Sequence, residues 1–186
     1  MASLEQALRA LLMYALVPLW AVAGIADWLC HRRQHMELSA GVRESLLHLL
    51  MLAILGPATV AALLLEVNAL LLALLLLAAI AHELVFWWDL AYASAHRPIG
   101  PVEQWVHSVQ FAVPWVGLVG LALLHLDQAL ALFGAAGAPP DWSLRWKDEP
   151  LPLRYVLAVL VGSALLVGLP FVEELLRCIR ARRRRL

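Results

Sequence analysis

Charged residues are scarce in this chain of 186 residues, since aspartate, glutamate, lysine and arginine together make up 15% of it. Hydrophobic residues make up 63%, and they fall in runs longer than the core of a soluble domain requires. So little charge excludes an ordinary soluble globular domain. The composition indicates instead a chain whose first partner is the lipid bilayer.

Several signals of common function classes are also missing. The sequence has no glycine-rich nucleotide-binding loop and no serine nucleophile motif, so any reductant would come from a separate electron donor. The arginines near the C-terminus have no interleaved aromatic or polar pattern, which argues against nucleic acid binding. There are two cysteines, Cys30 and Cys178, and both are predicted on the cytoplasmic side, where we expect no disulfide.

Five long apolar runs dominate the sequence. A helix that crosses the hydrocarbon core needs roughly 20 mostly apolar residues. We therefore predict an all-α polytopic membrane protein, a single domain over residues 1–186 whose first four helices form an up-and-down bundle. Between residues 153 and 169 the fifth run has no ionisable side chain except Arg154, and it is predicted to be structural. The predicted spans are 8–30, 44–65, 69–90, 103–126 and 153–176, followed by a basic cytoplasmic tail at 177–186.

Lysine and arginine are distributed unevenly between the two sides of the predicted bundle. Cytoplasmic connections of membrane proteins carry an excess of these residues, which sets the orientation of the chain. The side of the bundle with more of these residues is predicted to be cytoplasmic. The sequence therefore predicts an integral protein of a bacterial inner membrane, with its N-terminus outside and its C-terminus in the cytoplasm. The cytoplasmic group is Arg32, Arg33, Arg43, Arg97, Arg177, Arg180 and the run from Arg182 to Arg185, against Arg9, Arg145, Lys147 and Arg154 on the other side.

Each of the first four predicted spans carries a carboxylate and a histidine near its cytoplasmic end. Spacings of four or seven residues return a side chain to the same face of a helix, so each pair can point into the bundle. Because alternate spans run in opposite directions, all four pairs reach one layer. Glu83 directly follows His82, and it is expected to hydrogen-bond to a ligand and not to bind metal itself. The candidate metal ligands are Asp27, His31, His35, Glu44, His48, His82, Asp89, Glu103 and His107.

These ionisable groups need partners within the bilayer. One ionisable side chain at the centre of a span costs about 2.5 to 3.5 kcal/mol on insertion scales. Histidine with carboxylate is a ligand set for zinc, iron or manganese, and ligands in this number suit two metal ions. We predict two ions, iron in the first place and zinc or manganese as alternatives. The competing interpretation is a set of ion pairs with Arg32, Arg33, Arg43 or Arg97.

The segment His31-Arg-Arg-Gln-His35 resembles the HxxxH box of membrane fatty-acid desaturases and hydroxylases. That family binds two irons through histidine boxes at the cytoplasmic face. Its HxxHH boxes are absent from this chain, in which carboxylates make up much of the candidate ligand set. The resemblance implies a di-iron enzyme that oxidises lipid.

The leading hypothesis is a membrane-embedded oxidoreductase with a dinuclear metal centre. Its substrate would be a lipid or another hydrophobic molecule on the cytoplasmic side. Three alternatives remain open. A zinc-dependent lipid hydrolase would activate water at the metal. A b-type haem or quinone electron carrier would use histidines as axial ligands, and a metal transporter would use the same groups as an ion pathway.

Overall fold

The computed structural model describes residues 2–135, 137 and 139–184. Five helices within these residues are long and apolar enough to cross a membrane, which confirms the all-α polytopic fold. They are the first span Ser3–Arg33, the second span Gly41–Leu64, the third span Ala69–His96, the fourth span Pro101–Leu124 and the fifth span Leu153–Arg183.

The fifth span is longer than the sequence predicts. The helix continues without a break to Arg183, so residues 177–183 of the predicted basic tail are part of it. Arginine is a good helix former, and positive charge at a helix C-terminus is favoured by the helix dipole. Arg185 and Leu186 lie outside the described residues.

Local sequence signals set the ends of the spans near the site. The side chain of Asn68 accepts a hydrogen bond from the amide of Leu71 at 3.1 Å, which caps the third span. Pro101 occupies the first turn of the fourth span, where a missing amide hydrogen costs nothing. The first span ends at Arg33, and His35 then takes a left-handed backbone conformation with φ 53°. The chain reverses here before the second span begins at Gly41.

Two spans contain a turn of π-helix. One such turn covers Leu12–Leu16 of the first span and the other covers Ala164–Gly168 of the fifth. Each is followed within two residues by a proline, Pro18 or Pro170. Proline cannot donate the helical hydrogen bond and its ring crowds the preceding turn, so the wider turn accommodates it without ending the helix.

The five spans form a closed ring. The first span contacts the fourth, the fourth contacts the third, the third contacts the second, and the fifth lies between the second and the first. Five helices therefore enclose the interior, whereas the sequence analysis placed the first four in the bundle and the fifth outside its chemistry. Each connection between consecutive spans reverses the chain direction, as expected for an up-and-down arrangement.

The long connection between the fourth and fifth spans is ordered against the bundle in its described part. It begins with a short helix, Leu126–Ala131. Further along, Trp146 pairs with Leu65 as an isolated β-bridge, and the amide of Lys147 donates to the carbonyl of Leu64 at 3.0 Å. The connection thus lies across the turn that joins the second and third spans, at the end of the bundle predicted to face outside.

Close packing of the first span against the fifth depends on Gly24. A Cβ atom at this position would lie 3.1 Å from both methyl carbons of Val167, a side chain with little rotational freedom. We expect Gly24→Val to force the two helices apart and to lower stability by about 1 to 3 kcal/mol, measured by thermal denaturation in detergent. Gly162→Val is the matched control, since no atom lies within 4 Å of its Cβ position. Equal melting temperatures for the two variants would contradict this packing.

Candidate metal centre

Ionisable side chains are concentrated at one end of the ring, the end predicted to face the cytoplasm. Five carboxylates there are at most 2% exposed, together with three buried histidines and one buried arginine. Charged groups at such depth are stable only when they pair with one another or bind a cation. These residues are Asp27, Glu44, Asp89, Glu103, Glu174, His31, His48, His107 and Arg97.

Glu174 of the fifth span orients two histidines at once. Its Oε2 atom lies 2.9 Å from Nδ1 of His31, and its Oε1 atom lies 3.0 Å from Nδ1 of His48. The two imidazole rings are stacked, with centroids 4.7 Å apart and planes inclined by 7°. An ionised carboxylate only accepts hydrogen bonds, so each Nδ1 donates its hydrogen to Glu174. The lone pair of a neutral imidazole is then on Nε2, as in histidines that bind metals.

Nε2 of His31 belongs to a group of four ligand atoms from the first and fourth spans. It lies 3.4 Å from Oδ1 of Asp27 and 3.2 Å from Oε1 of Glu103. Nε2 of His107 lies 3.2 Å from the same Asp27 oxygen and 3.9 Å from the same Glu103 oxygen. Ligands bound tetrahedrally at 2.0 to 2.1 Å are separated by roughly 3.3 to 3.4 Å. The group is therefore spaced as the ligands of one metal ion are, and it can hold such an ion.

Two atoms of this group, both buried, have no hydrogen-bond partner among the described residues. They are Oδ1 of Asp27 and Nε2 of His31. Buried polar atoms in folded proteins are nearly always paired, and an oxygen and a nitrogen that both present lone pairs repel one another. A cation between them, whether a metal ion or a proton, removes this repulsion. The unpaired atoms thus point to the position that the cation would occupy.

Arg97, just after the third span, fixes the carboxylates on the other side of the group. Its Nε atom donates to both oxygens of Glu44 at 3.1 Å, and Nη1 donates to Oε2 of Glu103 at 3.0 Å and to Oε1 of Gln34 at 2.9 Å. Nη2 donates to Oε1 of Glu103. This oxygen atom has a second lone pair, which remains available to a metal ion. Burial alone would lower the pKa of Arg97, but the hydrogen bonds that it donates to Glu103 and Glu44 outweigh this effect and raise that pKa. Arg97 is therefore a permanent cation.

The ion pairs with Arg97 bear on the competing interpretation of the sequence. Glu44 and Glu103 do bind this arginine, as that interpretation predicts. Asp27 and Asp89 are held by histidines instead: Oδ2 of Asp89 lies 3.4 Å from Nε2 of His48. Two of these four carboxylates thus pair with Arg97, and the other two contact histidine rings.

A second group of potential ligands consists of His31, Glu44 and His48. It shares His31 with the first group, and Arg97 already binds its carboxylate. Asp89 approaches His48 but is not part of either group. Among residues 2–135, 137 and 139–184 there is thus one set of four potential ligands and one set of three, so the prediction of two ions stays a prediction.

His82 and Glu83 lie to one side of the four-ligand group. Nδ1 of His82 is 3.3 Å from Oε1 of Glu83. The prediction that Glu83 supports the metal ligands stays a prediction. Both side chains are buried. His82 also lines a small cavity of about 40 Å³, together with Asp27 and His48. It therefore faces the space beside the group and not the group itself.

The structure does not bring His35 to the site, which corrects the prediction that it joins His31. The first span ends at Arg33, so the regular helical spacing from His31 does not extend to His35. Its left-handed backbone turns the side chain outward, where it is exposed and lies 3.4 Å from Oε1 of Glu37. The HxxxH segment is therefore not a pair of ligands on one helical face.

Sequence reasoning missed Glu174, Gln34 and the central position of Arg97. The prediction for the fifth span rests on residues 153–169, whereas Glu174 lies further along the same helix. A usable signal was present, because a carboxylate within a predicted span costs free energy unless it has a partner. The same cost draws attention to Asp27 and Asp89 in the sequence, and it applies equally to Glu174.

Comparison of the chain with protein-family models, with curated proteins and with solved structures found no match. The chemistry of the site is therefore argued from its own residues.

Glu174 can be tested as the group that orients both imidazoles. In Glu174→Gln the amide accepts at one atom and donates at the other, so one histidine loses the tautomer that leaves Nε2 free. We expect metal affinity to fall 10- to 100-fold, measured by competition with a chromophoric chelator on metal-depleted protein. Glu173→Gln is the matched control, because the neighbouring Glu173 contacts Trp28 and Arg32 outside the group. Equal affinities for the two variants would contradict the assignment.

Arg97 can be tested as the cation that holds two carboxylates. Arg97→Met leaves Glu44 and Glu103 buried without their partner, and breaking a buried ion pair in this way costs about 3 to 5 kcal/mol. We expect a large fall in melting temperature for the metal-free protein in detergent. Arg43→Met is the control, since Arg43 lies over the rings of Trp88 and Tyr92, a contact of about 0.5 to 1 kcal/mol. A loss no greater than in this control would show that the ion pairs contribute little.

Proposed function

We propose that the protein is a metal-dependent oxidoreductase of the membrane that acts on a hydrophobic substrate. The observation that carries the proposal is the group of two imidazole nitrogens and two carboxylate oxygens, spaced as metal ligands and bordered by a cavity. Two histidines and a carboxylate with open positions form the ligand set of non-haem iron oxygenases. We therefore propose iron, bound by Asp27, His31, Glu103 and His107.

The cavities favour an apolar substrate. The small cavity of about 40 Å³ beside the group has room for a few water molecules or for dioxygen. A second cavity of about 520 Å³ lies in the other half of the bundle and is lined mainly by aliphatic side chains. Trp20 and Leu55 line both cavities, so they form the boundary between them. A carbon chain in the large cavity would reach the centre from within the membrane, a revision of the cytoplasmic approach expected from sequence.

The residues around the centre have separate roles in this proposal. Glu174 keeps His31 and His48 oriented, and Arg97 keeps Glu103 in place. His48 borders the small cavity and contacts Asp89, so this pair can deliver protons there. A bound iron would supply the capacity to activate dioxygen. Insertion of one oxygen atom into a C–H bond reduces the other to water, which consumes an electron pair from a separate donor and a pair of protons.

The number of ions is part of the proposal. One ion occupies the complete group of four ligands. A second ion at His48 and Asp89 would need another carboxylate, and Glu44 can serve only if it leaves Arg97. We therefore propose a mononuclear centre, with the dinuclear centre as the variant that applies if two irons are found per chain.

A zinc-dependent lipid hydrolase is the second candidate, favoured by a specific observation. Separations of 3.2 to 3.4 Å, from Asp27 to both histidines and from Glu103 to His31, match tetrahedral coordination, the usual geometry of zinc, while Glu103 and His107 are 3.9 Å apart. Haem ligation and metal transport receive less support. The free imidazole nitrogens face carboxylates, which suit no haem, and the large cavity is lined mainly by aliphatic side chains, which suit no ion pathway.

The proposed orientation places the metal centre near the cytoplasmic surface of a bacterial inner membrane. Basic side chains cluster at this end of the spans, among them Arg32, Arg43 and Arg177. They suit contact with anionic lipid headgroups and cytosol. The N-terminus would then lie outside, and an electron donor would approach from the cytoplasm.

Metal content tests the proposal directly. We expect about one iron per chain by mass spectrometry of protein purified in detergent, and less than a tenth of that in His107→Ala, which removes one of the four ligands. His125→Ala is the control, because His125 follows the fourth span at its opposite end. Iron-loaded protein should consume dioxygen when given an artificial electron donor and membrane lipid extract, and His107→Ala should not.

Two outcomes would overturn the oxidoreductase. Protein that binds no metal would leave the cluster as a network of ion pairs. Zinc alone, with lipid hydrolysis that proceeds without dioxygen, would establish the second candidate instead.

A further inference from the structure

We infer that the large cavity binds a long-chain fatty acid, with its carboxylate at Lys147 and its hydrocarbon chain directed toward Trp20 and the metal centre. This assignment names the substrate class of the proposed oxidoreductase and in that sense rests on the proposed function. The evidence for the binding site itself comes from a different part of the molecule.

The shape of the cavity suits a single chain. Its volume of about 520 Å³ lies within the usual range of ligand sites, about 300 to 1,000 Å³. Arg9 and Trp20 of the first span both line it, and about eleven residues of helix separate them, a rise of ~16 Å. The cavity is therefore elongated along the bundle. Aliphatic side chains cover the length between, among them Leu12, Leu16, Leu63, Leu75 and Leu121.

One end of this cavity carries a cation without an ion pair. Nζ of Lys147 donates a hydrogen bond to the carbonyl of Leu65 at 2.8 Å, and no carboxylate of the described residues forms a salt bridge with it. The side chain is partly buried. Burial lowers the pKa of Lys147, and the charge of Arg9 acts in the same direction, whereas the charge of Glu66 partly opposes them. An anion bound at this ammonium group would supply the direct ion pair that Glu66 does not form.

The acidic residues that line the same end form no direct ion pair with Lys147. The Oε1 atom of Glu66 accepts a hydrogen bond from the amide of Asp148 at 2.7 Å, which holds it on the connecting segment. Asp148 and Glu149 also line the rim, but both are exposed to solvent. Arg9 is paired with Glu5 on the surface. Lys147 therefore remains as the cation available to a ligand in the cavity.

These features together select a carboxylate with one long apolar chain. A neutral hydrocarbon would fill the aliphatic part but leave Lys147 without an ion-pair partner. A small anion would pair with Lys147 but leave the aliphatic surface empty. A fatty acid satisfies both ends, and its carboxylate stays where the cavity meets the charged rim while its chain extends toward the centre.

Equilibrium binding of tritiated palmitate to the purified full-length protein tests the assignment, with hexadecanol as the neutral analogue of equal length. We expect palmitate to bind at least tenfold more tightly than hexadecanol. Lys147→Gln should remove this preference while leaving hexadecanol binding unchanged, and Lys147→Arg should retain it. Equal binding of acid and alcohol by the unmodified protein would overturn the assignment.

The location of the ligand can be tested by filling the cavity. Ala62 of the second span lines it, and Ala62→Trp should weaken the binding of both probes at least tenfold. Ala53→Trp is the matched control on the same helix, because Ala53 is exposed on the outer surface of the bundle and lines neither cavity. Equal effects of the two substitutions would place the palmitate elsewhere on the protein.

Failure of this assignment and failure of the metal centre give different results. Lys147 and Ala62 are remote from the four ligands, so His107→Ala should bind palmitate as the unmodified protein does. Normal iron content without palmitate binding would overturn the fatty acid and leave the oxidoreductase in place. Palmitate binding without any metal would overturn the oxidoreductase and leave a fatty-acid-binding membrane protein.

Discussion

The hydrogen bonds of Glu174 to His31 and His48 join three helices at one point, the first, the second and the fifth. Arg97 joins the second and the fourth in the same layer. Lipid is as apolar as a leucine side chain, so helices in a membrane are not driven together by the hydrophobic effect. Polar contacts and close packing must hold them. The candidate site is therefore also the strongest connection between the helices of this fold.

Charge balance explains why this connection is compatible with metal binding. Five buried carboxylates surround one permanent cation, Arg97, so the remaining negative charge must be met by protonated histidines or by a metal ion. Either cation fits the position between Asp27 and His31. The protein can thus fold without metal and still keep a place for it. Arg97 binds two of the carboxylates, Glu44 and Glu103. In a fully symmetric dinuclear site, by contrast, all the carboxylates would be free to bind metal.

The general fold and most of the site could be predicted from the sequence, because both depend on local patterns. Run length alone gives five spans, and spacings of four residues place Asp27 with His31 and Glu103 with His107. Three features depend on how helices meet, which no spacing reveals. The fifth helix lies between the first and second, so Glu174 reaches the centre. His35 turns away where its helix ends, and His82 faces a cavity beside the ligands and not the ligands themselves.

The position of the fifth helix has a consequence for the biosynthesis of the protein. Ribosomes deliver the helices to the membrane in chain order, and Glu174 belongs to the fifth span, which follows the other four. Until then His31 and His48 have no shared acceptor, and the gap between the first and second helices stays open to lipid. Completion of the centre therefore requires the insertion of all five spans. A chain that stopped before residue 174 would leave both imidazoles without their shared acceptor.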